Sequence, residues 1–225
     1  MKFVIDGLAL TRSSFIVVSL LVLASLVNGC TNTAKPVHFY RLTADIGLTN
    51  SIHANMVDKG PVIGLGPIRV PEYLNRPQII VAVTPNQYLL SEDHRWAERL
   101  DQNISLALYQ VLPGQLNTDR VVRYPWAQRQ VVDYQVGMDI VEFNVDASGQ
   151  SRLIVQWFIK HKDNNILDKR SEYQYPGSSS DYELIVKAQS QCLTQFGLEI
   201  SQTLRQFLIA DVELSPKPVS LQSLR

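Results

Sequence analysis

The fold is decided by residues 134–175, which read YQVGMDIVEFNVDASGQSRLIVQWFIKHKDNNILDKRSEYQY. Two polar turns, Asp146-Ala147-Ser148-Gly149 and Asp163-Asn164-Asn165, separate three runs rich in β-branched and aromatic residues. Such runs favour strands, and Gly149 can adopt the positive φ that a tight hairpin requires. The stretch therefore predicts an antiparallel meander of three long strands. Alternation along the first strand predicts Val141, Phe143 and Val145 on one face and Ile140, Glu142 and Asn144 on the other.

Two amphipathic helices are predicted, one before the meander and one after it. Ser91 is a suitable N-cap for the first, which ends at Pro113-Gly114. Its apolar positions follow helical spacing: Trp96, Leu100, Ile104, Leu108 and Val111. The second begins with Ser180-Asp181-Tyr182-Glu183, the pattern of a capping box, and runs to about Leu208. Its apolar stripe contains Tyr182, Ile185, Ala188 or Gln189, Cys192, Phe196, Ile200, Leu204 and Phe207.

Shorter strands precede the first helix and follow it. They are predicted over residues 37–42, 62–71, 78–83, 87–90 and 120–126, and residues 44–61 are interpreted as a loop. Pro67 cannot donate to a central ladder, so the second of these strands is expected to be an edge strand or a bulged one. The order is roughly β4-α-β4-α. It predicts an α+β domain in which two amphipathic helices pack on one face of a largely antiparallel or mixed sheet.

The N-terminal stretch has the layout of a secretory signal peptide. Lys2 and Arg12 precede an apolar run from Phe15 to Val27, which is 13 residues long and too short for a typical membrane span of about 20. The run ends in Val27-Asn28-Gly29-Cys30, which resembles the lipobox of bacterial lipoproteins. That resemblance implies acylation of Cys30, which would become the mature N-terminus. The alternative is an ordinary signal peptide followed by a chance cysteine.

These features divide the chain into four parts. Residues 1–29 are predicted to be the signal peptide, 30–36 a lipidated tether, 37–209 the folded domain and 210–225 a flexible C-terminal tail. By analogy with the sorting of Gram-negative lipoproteins, Thr31 after the cysteine favours the outer membrane, with the body in the periplasm. Several acyl chains would hold the protein on the membrane without spanning it.

Composition and motifs exclude several classes of function. The 225 residues contain 21 basic and 21 acidic side chains, so the sequence carries no charge signal for nucleic acid. His38, His53, His94 and His161 do not lie at metal-ligating spacing, and neither a nucleophile elbow nor a P-loop is present. Cys192 is interpreted as a small buried hydrophobe. We predict no metal, no cofactor and no enzymatic activity.

Two motifs carry a resemblance to a known family. Residues 64–80 read GLGPIRVPEYLNRPQII, and residues 93–100 read DHRWAERL. Both are similar, in order and spacing, to motifs of the ABC-type transport auxiliary lipoproteins, the PqiC/YmbA-like group. The resemblance covers about residues 30–208 and departs at Asn75 and Arg99, where the family often has Asp and Pro.

The resemblance implies a function. Members assist intermembrane lipid transport as outer-membrane partners of MCE-domain proteins, and they can form homo-oligomeric rings that dock on the transport channel. It marks as interface or structural residues Gly66, Pro67, Pro71, Tyr73, Leu74, Arg76, Pro77, Arg95, Trp96 and Glu98. Fold maintenance stays open for each, with Trp96 as a core anchor and Arg76 paired internally with a carboxylate. A second possibility for the protein is a monomeric module that binds lipids or other hydrophobes, and a third is an envelope enzyme.

Overall fold

A computed structural model describes residues 35–44 and 60–214, with side chains through residue 211. The predicted signal peptide, Cys30, most of the 44–61 loop and residues 215–225 lie outside this described part. Contacts divide the chain into Met1–Pro36 and Val37–Arg225. Of the first unit, only residues 35 and 36 are described, and they have no regular secondary structure. The remaining description concerns the second unit.

The second unit contains eight described strands and two described helices. The strands are β1 (His38–Tyr40), β2 (Ile63–Arg69), β3 (Gln78–Thr84), β4 (Gln87–Trp96), β5 (Val121–Arg123), β6 (Tyr134–Asp146), β7 (Gln150–His161) and β8 (Asn164–Pro176). The helices are α1 (Leu100–Leu116) and α2 (Tyr182–Leu214). This confirms the predicted α+β class with two helices on a mixed sheet, which curls into a half-barrel.

Strand β6 organises the sheet. Strands β6, β7 and β8 form the predicted antiparallel meander. The other edge of β6 pairs in parallel, first with β2 from Ile63 opposite Tyr134 and then with β3, where Val81 lies opposite Val145. Strand β4 pairs with β3, and β1 and β5 are added in parallel to β4 and β2. The sheet therefore combines local hairpins with parallel pairs between segments distant in sequence.

The core lies between the sheet and the two helices. Trp157, Tyr134, Phe143 and Phe196 are its largest fully buried side chains, and Phe196 of α2 meets Trp157 of β7 edge to face at 5.7 Å between ring centroids. The predicted helical stripes are buried, including Leu100, Ile104, Leu108 and Val111 of α1 and Ile185, Cys192, Ile200 and Leu204 of α2. Each such side chain contributes about 1.5–3 kcal/mol through burial. None of the described helices is long and apolar enough to cross a bilayer.

The first helix begins later than its sequence indicates. Ser91 Oγ accepts a hydrogen bond from the His94 amide at 3.1 Å, as an N-cap would, but residues 87–96 are extended. Strand β4 is paired on both sides, with β3 and with β1, and this pairing outweighs the local helix signal. The prediction of a helix from Ser91 is therefore wrong, and α1 starts at Leu100. Both helix ends also lie beyond the predicted ones, since α1 contains Pro113 and α2 continues to Leu214.

The predicted faces of β6 are wrong at one point. Ile140 is buried at 3% exposure, whereas Val141 is exposed at 38%. The β6–β7 register shifts between Ile140 and Glu142, as expected for a β-bulge. The extra residue reverses which face of the sheet the following side chains point to. The inward positions are therefore Met138 and Ile140 before the shift and Phe143 and Val145 after it.

The segment after β1 is fixed to the core by a buried side chain, which gives a stability prediction. Asn103 of α1 is fully buried, and its Oδ1 accepts the Leu42 amide at 3.0 Å. Asn103→Ala leaves this buried amide without an acceptor and should lower the free energy of unfolding by about 1–3 kcal/mol. Urea denaturation measures the loss, with exposed Gln102→Ala as the neighbouring control. Equal midpoints for the two variants would contradict the role of this bond.

The first hairpin turn predicts a dependence of stability on pH. Burial raises the pKa of Asp146, but hydrogen bonds from Ser148, Gln150 and Gly149 outweigh it and hold the pKa below its ordinary value. A lowered folded-state pKa stabilises the fold above the ordinary pKa, and this contribution is lost as pH falls through the folded-state value.

Asp146→Asn keeps an acceptor oxygen in the turn but removes the charge. We expect unfolding measured between about pH 5 and pH 2 to become less steep in pH than for the unchanged protein. Asp163→Asn, in the turn between β7 and β8, is the control, since Asp163 accepts no hydrogen bond within the described residues. A slope unchanged by Asp146→Asn would contradict the assignment.

Candidate functional site

The first motif begins at an irregular point of β2. Gly66 has φ 123°, and a Cβ built on it would lie 2.6 Å from Tyr124 Cβ, so only glycine fits this position. The Gly66–Pro67 peptide is cis. Pairing of β2 with β6 is regular up to Leu65 and resumes at Ile68 with a shifted register. Of the two predicted alternatives for this strand, the bulged one is confirmed, because β2 lies between β5 and β6.

A tight turn follows β2. The amides of Leu74 and Asn75 both donate to the carbonyl of Pro71, at 2.9 and 3.1 Å. Leu74 points into the core and is 3% exposed. Tyr73 stacks on Tyr88 of β4 with ring centroids 5.1 Å apart, and its burial raises its pKa. Leu74 and Tyr73 therefore hold this turn on the sheet.

The second motif lies at the end of β4. Trp96 is 5% exposed, and its amide donates to the carbonyl of Pro77 at 2.7 Å. Trp96 is thus a core residue, in agreement with the alternative that it anchors the fold. Arg95 donates to the Glu92 carbonyl at 2.9 Å and to Glu92 Oε2 at 3.1 Å. The bond from Trp96 to Pro77 joins the two motifs directly.

Both motifs line one cleft, which we call the motif cleft. It has a volume of about 260 Å³, and its walls are Asn75, Arg76, Pro77, Trp96, Ala97, Glu98 and Arg99. Arg99 is paired with Asp101 at 3.1 Å. Arg76 is exposed and makes no ion pair with any described residue, so the expected internal pairing with a carboxylate is not found there. The cleft therefore presents a guanidinium that has no ion-pair partner among the described residues, beside exposed Pro77.

The ten predicted site residues do not all meet. Arg76, Pro77, Trp96 and Glu98 line the motif cleft, whereas Gly66 and Pro67 line a separate cavity of about 150 Å³ beside the start of α1. The others support these two places: Tyr73 and Leu74 anchor the turn, Pro71 accepts its hydrogen bonds and Arg95 pairs with Glu92. Their use as an interface stays a prediction.

An aromatic cluster was not predicted. The His94 ring stacks between Tyr182 at 3.9 Å and His38 at 5.2 Å, and the Tyr40 hydroxyl lies 2.8 Å from His94 Nδ1. The predicted N-cap at Ser91 places His94 in the first turn of a helix instead. The cluster depends on the parallel register that places His38 opposite His94, and no local pattern reveals this pairing.

The described residues offer little for covalent chemistry. No three His, Cys, Asp or Glu side chains converge in a metal-binding arrangement among them. Cys192 is fully buried, and burial raises its pKa, which suppresses the reactive thiolate. The prediction that Cys192 acts as a small core residue is confirmed.

Comparisons with known proteins agree with the fold. The profile of a family described as "ABC-type transport auxiliary lipoprotein component" matches residues 40–201. No curated protein matches this chain. A solved Xanthomonas campestris protein of the DUF330 family superposes with a TM-score of 0.62 and 16% identity, over 79% of this chain and 98% of that one. The crystal structure of an uncharacterized protein superposes with a TM-score of 0.62 and 18% identity, over 76% of this chain and 99% of that one. At such identities the likeness shows the fold alone.

Gly66 provides a test of the first motif. Gly66→Ala adds a Cβ that collides with Tyr124 and must adopt φ 123°, so we expect a loss of about 1–3 kcal/mol in the free energy of unfolding. Gly114→Ala is the control, because nothing lies within 4 Å of a Cβ built there. Thermal or urea unfolding measures both. A Gly66→Ala protein as stable as the Gly114→Ala protein would contradict the steric role.

Proposed function

Because this chain belongs to the family of ABC-type transport auxiliary lipoprotein components, we propose that it assists intermembrane lipid transport as a non-enzymatic lipoprotein. In this proposal, Cys30 carries the lipid and holds the body on the periplasmic side of the outer membrane. The body docks on, or caps, the channel of an MCE-domain transport protein, either alone or as a homo-oligomeric ring. Its own role is to seat or cap the far end of the channel.

One observation carries the proposal: the two family motifs meet in the motif cleft and leave Arg76 exposed and unpaired within the described part. Arginine is enriched among the residues that contribute most of the binding energy at protein interfaces. The Arg76 guanidinium can form a bidentate pair with a carboxylate of a partner. Trp96 holds the two walls of the cleft together, because its side chain is buried in the core and its amide donates a hydrogen bond to the Pro77 carbonyl.

The monomeric hydrophobe-binding alternative has less support. It requires a deep apolar pocket between the helices and the sheet. Trp157, Phe143 and Phe196 occupy that space and are each at most 2% exposed. Two cavities of about 570 and 550 Å³ lie elsewhere on the described body, and charged side chains contribute to the walls of both.

The proposal predicts that the protein forms an oligomer or a complex whose mass can be measured. The mature lipoprotein is purified in detergent and its mass is measured by light scattering, alone and with an MCE-domain protein of the same bacterium. We expect a closed oligomer or a stable complex. A monomer that does not bind the MCE-domain protein and that co-purifies with lipid would instead favour the hydrophobe-binding alternative.

The contribution of Arg76 is tested by charge reversal. Arg76→Glu should weaken the complex at least about tenfold, because it replaces the exposed cation of the motif cleft with an anion that repels the expected carboxylate of the partner. Arg129→Glu is the matched control, since Arg129 is also exposed and unpaired among the described residues but lies outside the cleft. Equal affinities for the two variants would exclude the motif cleft as the docking surface.

A further inference from the structure

Strand β1 presents an unusual outward surface. Phe39 is 66% exposed, Val37 just before the strand is 41% exposed, and Arg41 just after it is also exposed. Between them, Tyr40 and His38 face the aromatic cluster on His94. Val37 and Phe39 are two apolar side chains exposed next to each other at the open edge of the sheet, and contiguous apolar surface of this kind marks sites of interaction.

Basic side chains stand beside the exposed ring. A cavity of about 570 Å³ lies between the β1 segment and α2, and its walls include Phe39, Arg41 and Lys187. Glu183 is the acidic residue in this wall, so the two cations exceed the carboxylate by one charge. Within the described residues, neither Arg41 nor Lys187 is engaged in an ion pair. Aromatic and apolar side chains flanked by unpaired cations match the chemistry of a phospholipid surface.

The length of the chain before β1 restricts what can cover this surface. Residues 31–36 are all that separate Val37 from Cys30, and six residues span at most about 20 Å. A lipid on Cys30 would therefore hold Val37 and Phe39 close to the bilayer. The segment is also rigidly joined to the body, because the Leu42 and Thr43 amides donate to Asn103 Oδ1 and Ser190 Oγ.

We infer that the surface formed by Val37, Phe39, Arg41 and Lys187, which we call the β1 surface, rests on the bilayer that holds the anchor. Val37 and Phe39 enter the boundary between headgroups and acyl chains, and the two cations contact lipid phosphates. This inference rests on the lipid anchor of the proposed function. It adds that the body is held in one orientation rather than suspended from a free tether.

The test measures the depth of a probe at this surface. Lipidated mature protein carrying Val37→Cys is labelled with an environment-sensitive fluorophore and reconstituted into vesicles of phosphatidylethanolamine and phosphatidylglycerol. Val131→Cys, at a residue 73% exposed between β5 and β6, is the control position. Cys192 is buried, so labelling is confined to the introduced thiol. Lipids with spin labels in their acyl chains should quench the probe at position 37 and leave the probe at position 131 bright.

Two further changes show whether the β1 surface itself causes the quenching. Phe39→Asp should lower the ratio of docked to undocked protein at least about tenfold. Arg41→Glu and Lys187→Glu should each lower it at least about fivefold, and Arg129→Glu should leave it unchanged. Equal quenching at positions 37 and 131, or quenching that survives Phe39→Asp, would overturn the inference.

The outcomes separate this inference from the proposed function. Mass spectrometry first shows whether Cys30 is acylated, and an unmodified Cys30 would refute both the anchor and the docking. An acylated protein whose position 37 escapes lipid quenching would refute only the docking. Protection of position 37 that rises with protein concentration, without lipid quenching, would assign the β1 surface to a second copy of the chain and also refute the inference.

Discussion

The fold depends on one constraint: strand β6 has two edges and three partners. Strand β7 occupies one edge along its length, so β2 and β3 must divide the other between them. Each pairs in parallel with β6, β2 beside Tyr134–Asp139 and β3 beside Val145–Asp146. The chain must therefore leave the sheet after β2 and return one step further along. Since β2 and β3 follow one another along the same edge in the same direction, no crossover is needed, and residues 70–77 join them in a single turn.

This constraint gives a physical reason for the composition of the first motif. Proline has no amide to donate, so Pro67, Pro71 and Pro77 leave no donors unpaired where the chain departs from the ladder. Leu74 and Tyr73 then hold the turn on the sheet, and the Pro77 carbonyl receives the Trp96 amide. The motif cleft is a by-product of this connection, because its walls are the turn between β2 and β3 and the end of β4 beside it. One set of residues thus serves both the fold and the proposed docking.

Local patterns predicted the meander and both helices, because hairpin turns and helical periodicity are properties of neighbouring residues. The parallel strand pairs could not be predicted from the sequence, since nothing near His38 indicates that it lies opposite His94. Ser91 misled for the same reason: its cap bond exists, but pairing of β4 with two distant strands overrides it. Val141 was misplaced because a bulge is invisible in an alternating pattern. For the site, the motifs identified the residues, and only the fold showed that Arg76 and Trp96 share a cleft.

The attachment of β1 has a mechanical consequence. Any pull on the chain from before Val37 enters the body through a strand of only three residues. Beyond it, the Leu42 amide on Asn103 transfers tension to α1, and the Thr43 amide on Ser190 transfers it to α2. The load is thus shared between both helices within three residues of the strand's end. Under tension, the protein should yield by peeling β1 away while the meander and its helices remain folded, so that a strained molecule lengthens without losing its core.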